Sequence, residues 1–107
     1  MDALTAKYLV EKLERGAVAV AVSLTEDDLV VELADGRTIT TPLLYYPRLF
    51  HGTATERENW QIEGEGIHWP ALDEDIRTAD LLIGLPSAES QESLQHWLAS
   101  RQAMPAI

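Results

Sequence analysis

Hydrophobic positions repeat with two different periods along the chain, and each period predicts a different kind of element. Apolar residues between Leu4 and Leu13 recur about every 3.6 positions and Gly16 follows them, which predicts an amphipathic helix over residues 3–15. We expect its apolar side to dock against the rest of the protein. Over residues 17–22 valine alternates with alanine, and two apolar faces favour a central strand covered on both sides.

Residues 28–41 carry the strongest turn pattern in the chain and predict a β-hairpin. The Asp35-Gly36 dipeptide marks the turn. A three-residue loop pairs Val31 with Ile39 and keeps both on the apolar face, whereas a two-residue loop moves Ile39 to the charged face. We therefore predict the longer loop, with Gly36 in the left-handed position of a β-bulge.

The middle of the chain predicts a further helix. Pro47 suits the first turn of a helix, where its missing N–H removes no hydrogen bond, and apolar residues follow as far as Trp60. Gly52 weakens this helix by up to about 1 kcal/mol relative to alanine. Gly64 and Gly66 then indicate a tight turn between two short extended segments.

The C-terminal part of the chain predicts one loop and two helices. Residues 71–75 are expected to form an acidic loop, after which Thr78 caps a short helix. A last helix is predicted over residues 88–102, with Ser87 or Ser90 as its N-cap.

Composition and charge narrow the class of protein. The 107 residues are 46% hydrophobic and 24% charged, as in globular proteins, and no linker or repeat divides them, so we expect one domain over 1–107. The formal net charge of −10 disfavours binding to nucleic acid and to anionic membranes. No apolar run approaches the length of a membrane span, and no secretory signal pattern opens the chain. Because cysteine is absent, disulfides and thiolate chemistry are excluded, and we expect a cytoplasmic protein.

Three blocks of residues carry a resemblance to a known family. They are LADGR at 33–37, YYPRL at 45–49 followed by ATERENW at 54–60, and GIHWPALDEDI at 66–76, a block that ends in Leu81-Leu82-x-Gly84. In content and spacing, these motifs resemble the bacterial family catalogued as domain of unknown function 2442. The resemblance implies a family-like core over about residues 17–85, with the first and last predicted helices outside it.

The resemblance also implies a fold class and a genetic setting. The fold is α+β: a small antiparallel sheet, containing the hairpin at 28–41, packed by about four helices. Members occur alone or beside a helix-turn-helix domain. Many are encoded next to another short protein, a layout similar to that of toxin–antitoxin pairs. No catalytic residue follows from the resemblance.

The chemically competent residues form no complete catalytic or metal-binding pattern. His51, His68 and the acidic residues 73–75 are suitable metal ligands, but no two histidines have the His-x-x-His or His-x-x-x-His spacing. The serines lack a Gly-x-Ser-x-Gly context, and the glycines do not form a phosphate-binding loop. We therefore predict no catalytic residue, no metal site and no cofactor.

Aromatic, arginine and acidic residues indicate a protein-binding surface instead. Aromatic and arginine side chains dominate the energetics of many interfaces, and acidic surfaces attract basic partners. The predicted partner-binding residues are Tyr45, Tyr46, Arg48, His68, Trp69, Asp73, Glu74 and Asp75. We interpret the protein as a non-enzymatic interaction module for a basic protein encoded nearby, as the antitoxin-like or regulatory member of a two-protein system.

Three alternatives stay open. In the first, the aromatic side chains fill the core and Arg48 pairs with residues 73–75. In the second, the protein is a small metal- or ligand-binding protein, or an enzyme, that uses His68 and residues 73–75. In the third, it is a homo-oligomeric structural module, a homodimer that forms through a sheet edge or the last helix.

Overall fold

The computed structural model describes residues 2–103. Over this range the elements are α1 (Ala3–Gly16), β1 (Ala19–Leu24), β2 (Asp28–Leu33), β3 (Thr38–Pro42), α2 (Pro47–Phe50), α3 (Ala54–Glu58), β4 (Gln61–Glu63), β5 (Gly66–Trp69), β6 (Glu74–Arg77), α4 (Thr78–Leu82) and α5 (Gln91–Ala103). Short 3₁₀ turns occupy Leu43–Tyr45 and Pro70–Leu72. The predicted α+β class is confirmed. Of the helices within this range, none is long and apolar enough to cross a membrane.

The strands form two antiparallel sheets of three strands each. The first sheet has the order β1-β2-β3 and the second has the order β4-β5-β6. Side chains from both sheets and from the connecting segments share one hydrophobic core. Its fully or nearly fully buried members include Leu29, Val31, Leu33, Leu43, Leu49, Ile67, Trp69, Leu72, Ile76 and Leu81.

The predicted hairpin at 28–41 has the predicted register. Val31 pairs with Ile39, and Gly36 has a φ of +91°. The Leu33 N–H donates a hydrogen bond to the Arg37 carbonyl at 2.8 Å, which closes the loop. The turn residues and the alternation of apolar positions are local features, and together they determine this pairing.

The prediction of a central strand at residues 17–22 is wrong. Among the described strands, β1 pairs with β2 alone and is therefore an edge strand. Val18 and Val20 are 43% and 55% exposed, and Val20 falls in an irregularity of the ladder between Ala19 and Ala21. Valine is common in strands whether or not both faces are covered, and a bulge is a usual protection of an exposed edge.

The helix predicted from Pro47 to Trp60 is interrupted. Pro47 does occupy the first turn of α2, but α2 ends at Phe50 and α3 begins only at Ala54. A Cβ on Gly52 would lie 2.9 Å from Leu72 Cδ1, so the chain at this point passes directly over a buried leucine. A capping box then starts α3, with a side chain at either end of the box bonding to backbone N–H.

The first helix does not dock along an apolar stripe as expected. Leu4 is 82% exposed, and Tyr8 and Val10 are 55% and 53% exposed. At 100° per residue, Leu4 and Tyr8 lie on one side of α1 and Val10 lies towards the other. One docked side would therefore leave the other apolar side in solvent, which limits how well this helix can be covered by its own domain.

Polar contacts attach the last helix. The Ser93 N–H donates to Ser90 Oγ at 3.0 Å, which identifies Ser90 as the cap in front of α5. Arg101 forms a two-pronged ion pair with Glu56, with N–O distances of 2.7 and 2.9 Å. The guanidinium groups of Arg48 and Arg101 lie 5.0 and 4.6 Å from the centre of the Trp97 ring. The hydrogen bonds from Arg101 lower the pKa of Glu56 to about 2.

Substitution of alanine for glycine should lower the free energy of unfolding by different amounts at two positions in the fold. A Cβ on Gly66 would lie 2.7 Å from the Ile76 carbonyl oxygen, which is backbone of the neighbouring strand, whereas Gly52 would meet the end of a leucine side chain. Gly66→Ala should lower the free energy of unfolding by about 1–3 kcal/mol because β5 and β6 must separate. Gly52→Ala should cost less. Urea unfolding of both variants measures the difference, and an equal or reversed order would contradict this account of the sheet.

Candidate functional site

Strand alternation divides the second sheet into a buried face and a polar face. Ile67, Trp69 and Ile76 point inward and are at most 3% exposed. Along each strand, the side chains at the alternate positions point outward. We call their surface the polar face; its residues are Gln61, Glu63, Gly66, His68, Asp75 and Arg77.

The strand register fixes the order of side chains across the polar face. Gln61 pairs with His68 across β4 and β5, and His68 pairs with Asp75 across β5 and β6. The adjacent row across the same strands consists of Glu63, Gly66 and Arg77. Opposite side chains in antiparallel strands lie about 5 Å apart at Cβ, so the side chains within each row can contact one another or a shared ligand.

His68 and Asp75 make the best-defined contact on the polar face. His68 Nδ1 and Asp75 Oδ1 are 2.7 Å apart. The His68 side chain is 25% exposed and that of Asp75 is 76% exposed. With the proton on Nδ1, this N–H donates a hydrogen bond to the Asp75 carboxylate, which orients the ring, and Nε2 keeps a free lone pair. An imidazole held in this way can accept a hydrogen bond from a bound group.

A shallow hollow lies next to this pair, where Gly66 contributes no side chain. Its volume is about 250 Å³, and its lining includes Glu63, Glu65, Asp75 and Arg77. Three carboxylates surround the hollow and Arg77 supplies one guanidinium. A positively charged side chain entering the hollow would therefore meet more attraction than repulsion.

The structure places Arg48 away from this face. Its Nε donates to the two carboxylate oxygens of Glu89 at 2.9 and 3.0 Å, and its Nη1 donates to the Leu72 and Asp73 carbonyls at 3.3 Å each. The expected ion pair with the acidic residues is limited to Asp73 Oδ2, at 3.6 Å. The Arg48 side chain is only 15% exposed, so its main contacts tie α2 to the segment before α5.

The acidic residues 73–75 do not form the predicted loop. Asp73 has a left-handed backbone with a φ of +48°, and β6 begins directly after it at Glu74. The Asp73 side chain is 86% exposed. Alternation along β6 then turns Glu74 inward and Asp75 outward, so the three carboxylates face different environments.

Burial changes the titration of two residues under the second sheet. Glu74 is paired in register with Trp69, and burial raises its pKa to about 7. Tyr46 is 3% exposed and its hydroxyl donates to the Leu85 carbonyl at 3.0 Å. Burial, followed by the charges of Asp80 and Glu74, raises the pKa of Tyr46 to about 12.

Of the predicted partner-binding residues, two belong to the core. Trp69 is fully buried and its indole Nε1 donates to the Arg57 carbonyl at 3.0 Å. Tyr46 is buried as described above, so neither side chain offers surface to a partner. Tyr45 is 40% exposed but precedes α2 rather than lying on the polar face.

Sequence analysis missed Glu63, Glu65 and Arg77 as members of the site. The pattern that could have found them is the turn at Gly64: alternation outward from this turn places Glu63 and His68 on one face. The next strand was predicted as a loop, so its outward residues Asp75 and Arg77 could not be assigned to that face.

The structure does not gather the histidines into a metal site. His51 follows α2 and its ring meets that of Phe50 edge-on, with centroids 5.3 Å apart, whereas His68 lies on the polar face. In the part of the chain that the structure describes, no group of three or more histidine, aspartate or glutamate residues is placed to hold a metal ion.

Glu74 predicts a specific pH dependence of stability. Its folded pKa of about 7 exceeds the ordinary value of 4.5, so its stabilising effect is complete below pH 4.5 and is lost as the pH rises through 7. Glu74→Gln removes this loss. The free energy of unfolding of Glu74→Gln minus that of wild type should therefore increase by on the order of 1–2 kcal/mol between acidic and mildly alkaline pH, after allowance for solvent screening.

Chemical denaturation at several pH values measures this difference. Glu65→Gln removes an exposed carboxylate from the same sheet region and serves as the control. Its difference from wild type should change little with pH. If the difference in free energy of unfolding between Glu74→Gln and wild type did not change with pH, the burial of the Glu74 carboxyl group would be contradicted.

The fold is similar to two solved structures. A protein of unknown function from Rhodospirillum rubrum ATCC 11170 is 22% identical with a TM-score of 0.59, and the match covers 69% of this chain and 94% of that chain. An uncharacterized protein from Chromobacterium violaceum is 22% identical with a TM-score of 0.61, and the match covers 94% of this chain and 91% of that chain. These likenesses show the fold alone. No curated protein matches the sequence.

A family model confirms the resemblance to a known family. The model described as "Protein of unknown function (DUF2442)" matches residues 19–87. This segment is more than half of the chain and includes both sheets, the core and the polar face, while α1 and α5 lie outside it. The chain belongs to the DUF2442 family.

Proposed function

We propose that this protein is a non-enzymatic interaction module that binds a basic protein through the polar face of the second sheet. The observation that carries the proposal is the hollow beside Gly66, whose lining includes the acidic residues Glu63, Glu65 and Asp75. A lysine or arginine side chain of a partner is the group that this arrangement fits best.

The charge of the whole chain supports the same kind of partner. The formal net charge is −10, so a basic protein is attracted over the distance of the screening length before it makes contact. Attraction of this type raises the association rate more than the final affinity. The carboxylates of the polar face then supply the local contacts.

The polar face is also held in place before a partner arrives. Its residues lie on paired strands, and the hydrogen bond between His68 and Asp75 restricts both side chains. A preorganised surface loses less conformational entropy on binding than a flexible loop does. This supports recognition by the sheet surface.

The family resemblance suggests the biological setting of this module. Many members are encoded beside another short protein, in a layout similar to that of toxin–antitoxin pairs. We propose that the protein is cytoplasmic and is the antitoxin-like or regulatory member of a two-protein system, and that it acts by covering a basic surface of its partner.

A paired affinity experiment tests the proposal. Tagged wild type and the variant Glu63→Gln/Glu65→Gln are used as baits in native cell extract at low and high salt, with recovered proteins identified by mass spectrometry. Wild type should recover a basic protein at low salt and much less of it at high salt. The variant should recover several-fold less of the same protein, because two of the three carboxylates at the hollow are neutral.

The control bait is Glu26→Gln/Asp27→Asn, which removes the same charge from an exposed turn of the first sheet. It should retain the partner at nearly the wild-type level. Equal loss from both variants would show that only net charge matters, and this result would reject the polar face as the binding surface.

A site for a small ligand is the second candidate, favoured by the 2.7 Å contact between His68 and Asp75 at the edge of the hollow. Such a ligand would offer a cationic group to the carboxylates and an anionic group to Arg77. Free amino acids are the simplest probes with this chemistry. Saturable NMR shift changes on the polar face, absent in His68→Gln, would support this candidate, whereas unchanged spectra up to millimolar ligand would reject it.

A further inference from the structure

A wide groove lies on the other side of Arg77, between α1 and the end of α4. Its volume is about 940 Å³. Apolar side chains supply much of its lining, including Val10 from α1, Val18 in front of β1, and Leu82 and Ile83 at the end of α4. Ile83 is 74% exposed, so the rim of the groove presents an uncovered apolar surface.

The helix beside this groove has a second apolar side. Val10 lines the groove, but Leu4 and Tyr8 lie towards the opposite side of α1 and are 82% and 55% exposed. Because these two residues are four positions apart, they form one continuous contact surface. The same chain thus carries a convex apolar helix side and a concave apolar groove, both uncovered.

We propose that a second copy of this chain covers both surfaces. In this homodimer the α1 helix of each copy lies in the groove of the other, so that Leu4 and Tyr8 of one copy contact Leu82 and Ile83 of its partner. A twofold axis satisfies both contacts at once and leaves no open end for further addition. Glu65 and Arg77 line both this groove and the hollow of the polar face, but the apolar contacts proposed here use neither of them.

The distribution of charge favours a second copy at this place. The chain carries a net charge of −10, yet residues 1–16 contain equal numbers of acidic and basic residues. Two copies that approach through α1 therefore avoid the repulsion between their acidic surfaces. The charged residues that line the groove are Glu11, Glu65 and Arg77, two carboxylates against one guanidinium, so the exposed Lys7 of a partner's α1 meets a lining that is acidic on balance.

The described side chains of α1 lie outside the hydrophobic core of the domain. None of the described side chains of this helix belongs to the core cluster, and the family match begins at residue 19, after the helix ends. The exposed apolar residues Leu4, Tyr8, Leu9 and Val10 are thus not part of that core. Burial against a partner copy accounts for them, since large uncovered apolar patches usually mark an interface.

Disulfide trapping tests the proposed contact directly, because the chain has no cysteine of its own. Tyr8→Cys in a tagged copy is mixed with Ile83→Cys in an untagged copy under mild oxidation. The mixed disulfide between the two copies should form several-fold faster than in the matched mixture of Tyr8→Cys with Leu44→Cys. Leu44 is 69% exposed and lies in the 3₁₀ turn after β3, so it provides an equally accessible control.

Sedimentation of unmodified protein from micromolar to millimolar concentration gives the second measurement. Wild type should shift from monomer to dimer, while Tyr8→Glu should require at least about tenfold more protein for the same shift. Circular dichroism verifies that the variant is folded, as expected for an exposed position. A wild type that stays monomeric, or trapping at the same rate as the Leu44→Cys control, would overturn the proposal.

Discussion

The buried indole of Trp69 is the interaction on which the remaining structure depends. A fully buried N–H must find an acceptor, and the Arg57 carbonyl provides it at 3.0 Å. This bond links β5 to the end of α3, so the segment from α2 to α3 is fixed across the inner face of the second sheet. The close approach of Gly52 to Leu72 fixes the same segment at a second point.

The inward direction of Trp69 determines the outward direction of its neighbour in the strand. Because side chains alternate, His68 must face solvent, where Asp75 on the adjacent strand is within hydrogen-bonding distance. The same alternation places Glu74 on the buried side, where its carboxyl group titrates near neutral pH. The exposure of His68 on the polar face and the burial of Glu74 beneath it thus both follow from the inward packing of Trp69.

Sequence patterns predicted the features that depend on near neighbours. The register of the hairpin at 28–41 follows from its turn residues and apolar alternation, and the start of α2 follows from Pro47. Features that depend on distant contacts could not be predicted. The break at Gly52 needs Leu72, and the burial of Trp69 needs both sheets in place.

The candidate site shows the same limit. Individual residues such as His68 and Asp75 were identified, but their shared face requires strand β6, which sequence patterns did not distinguish from a loop. An aromatic residue beside acidic ones is equally typical of an interface and of a core.

Hydrogen exchange at the three tryptophan indoles, followed by NMR, tests the account most directly. The Trp69 indole should exchange only through global unfolding, and far more slowly than that of the partly buried Trp97; equal rates would contradict its role as the central anchor.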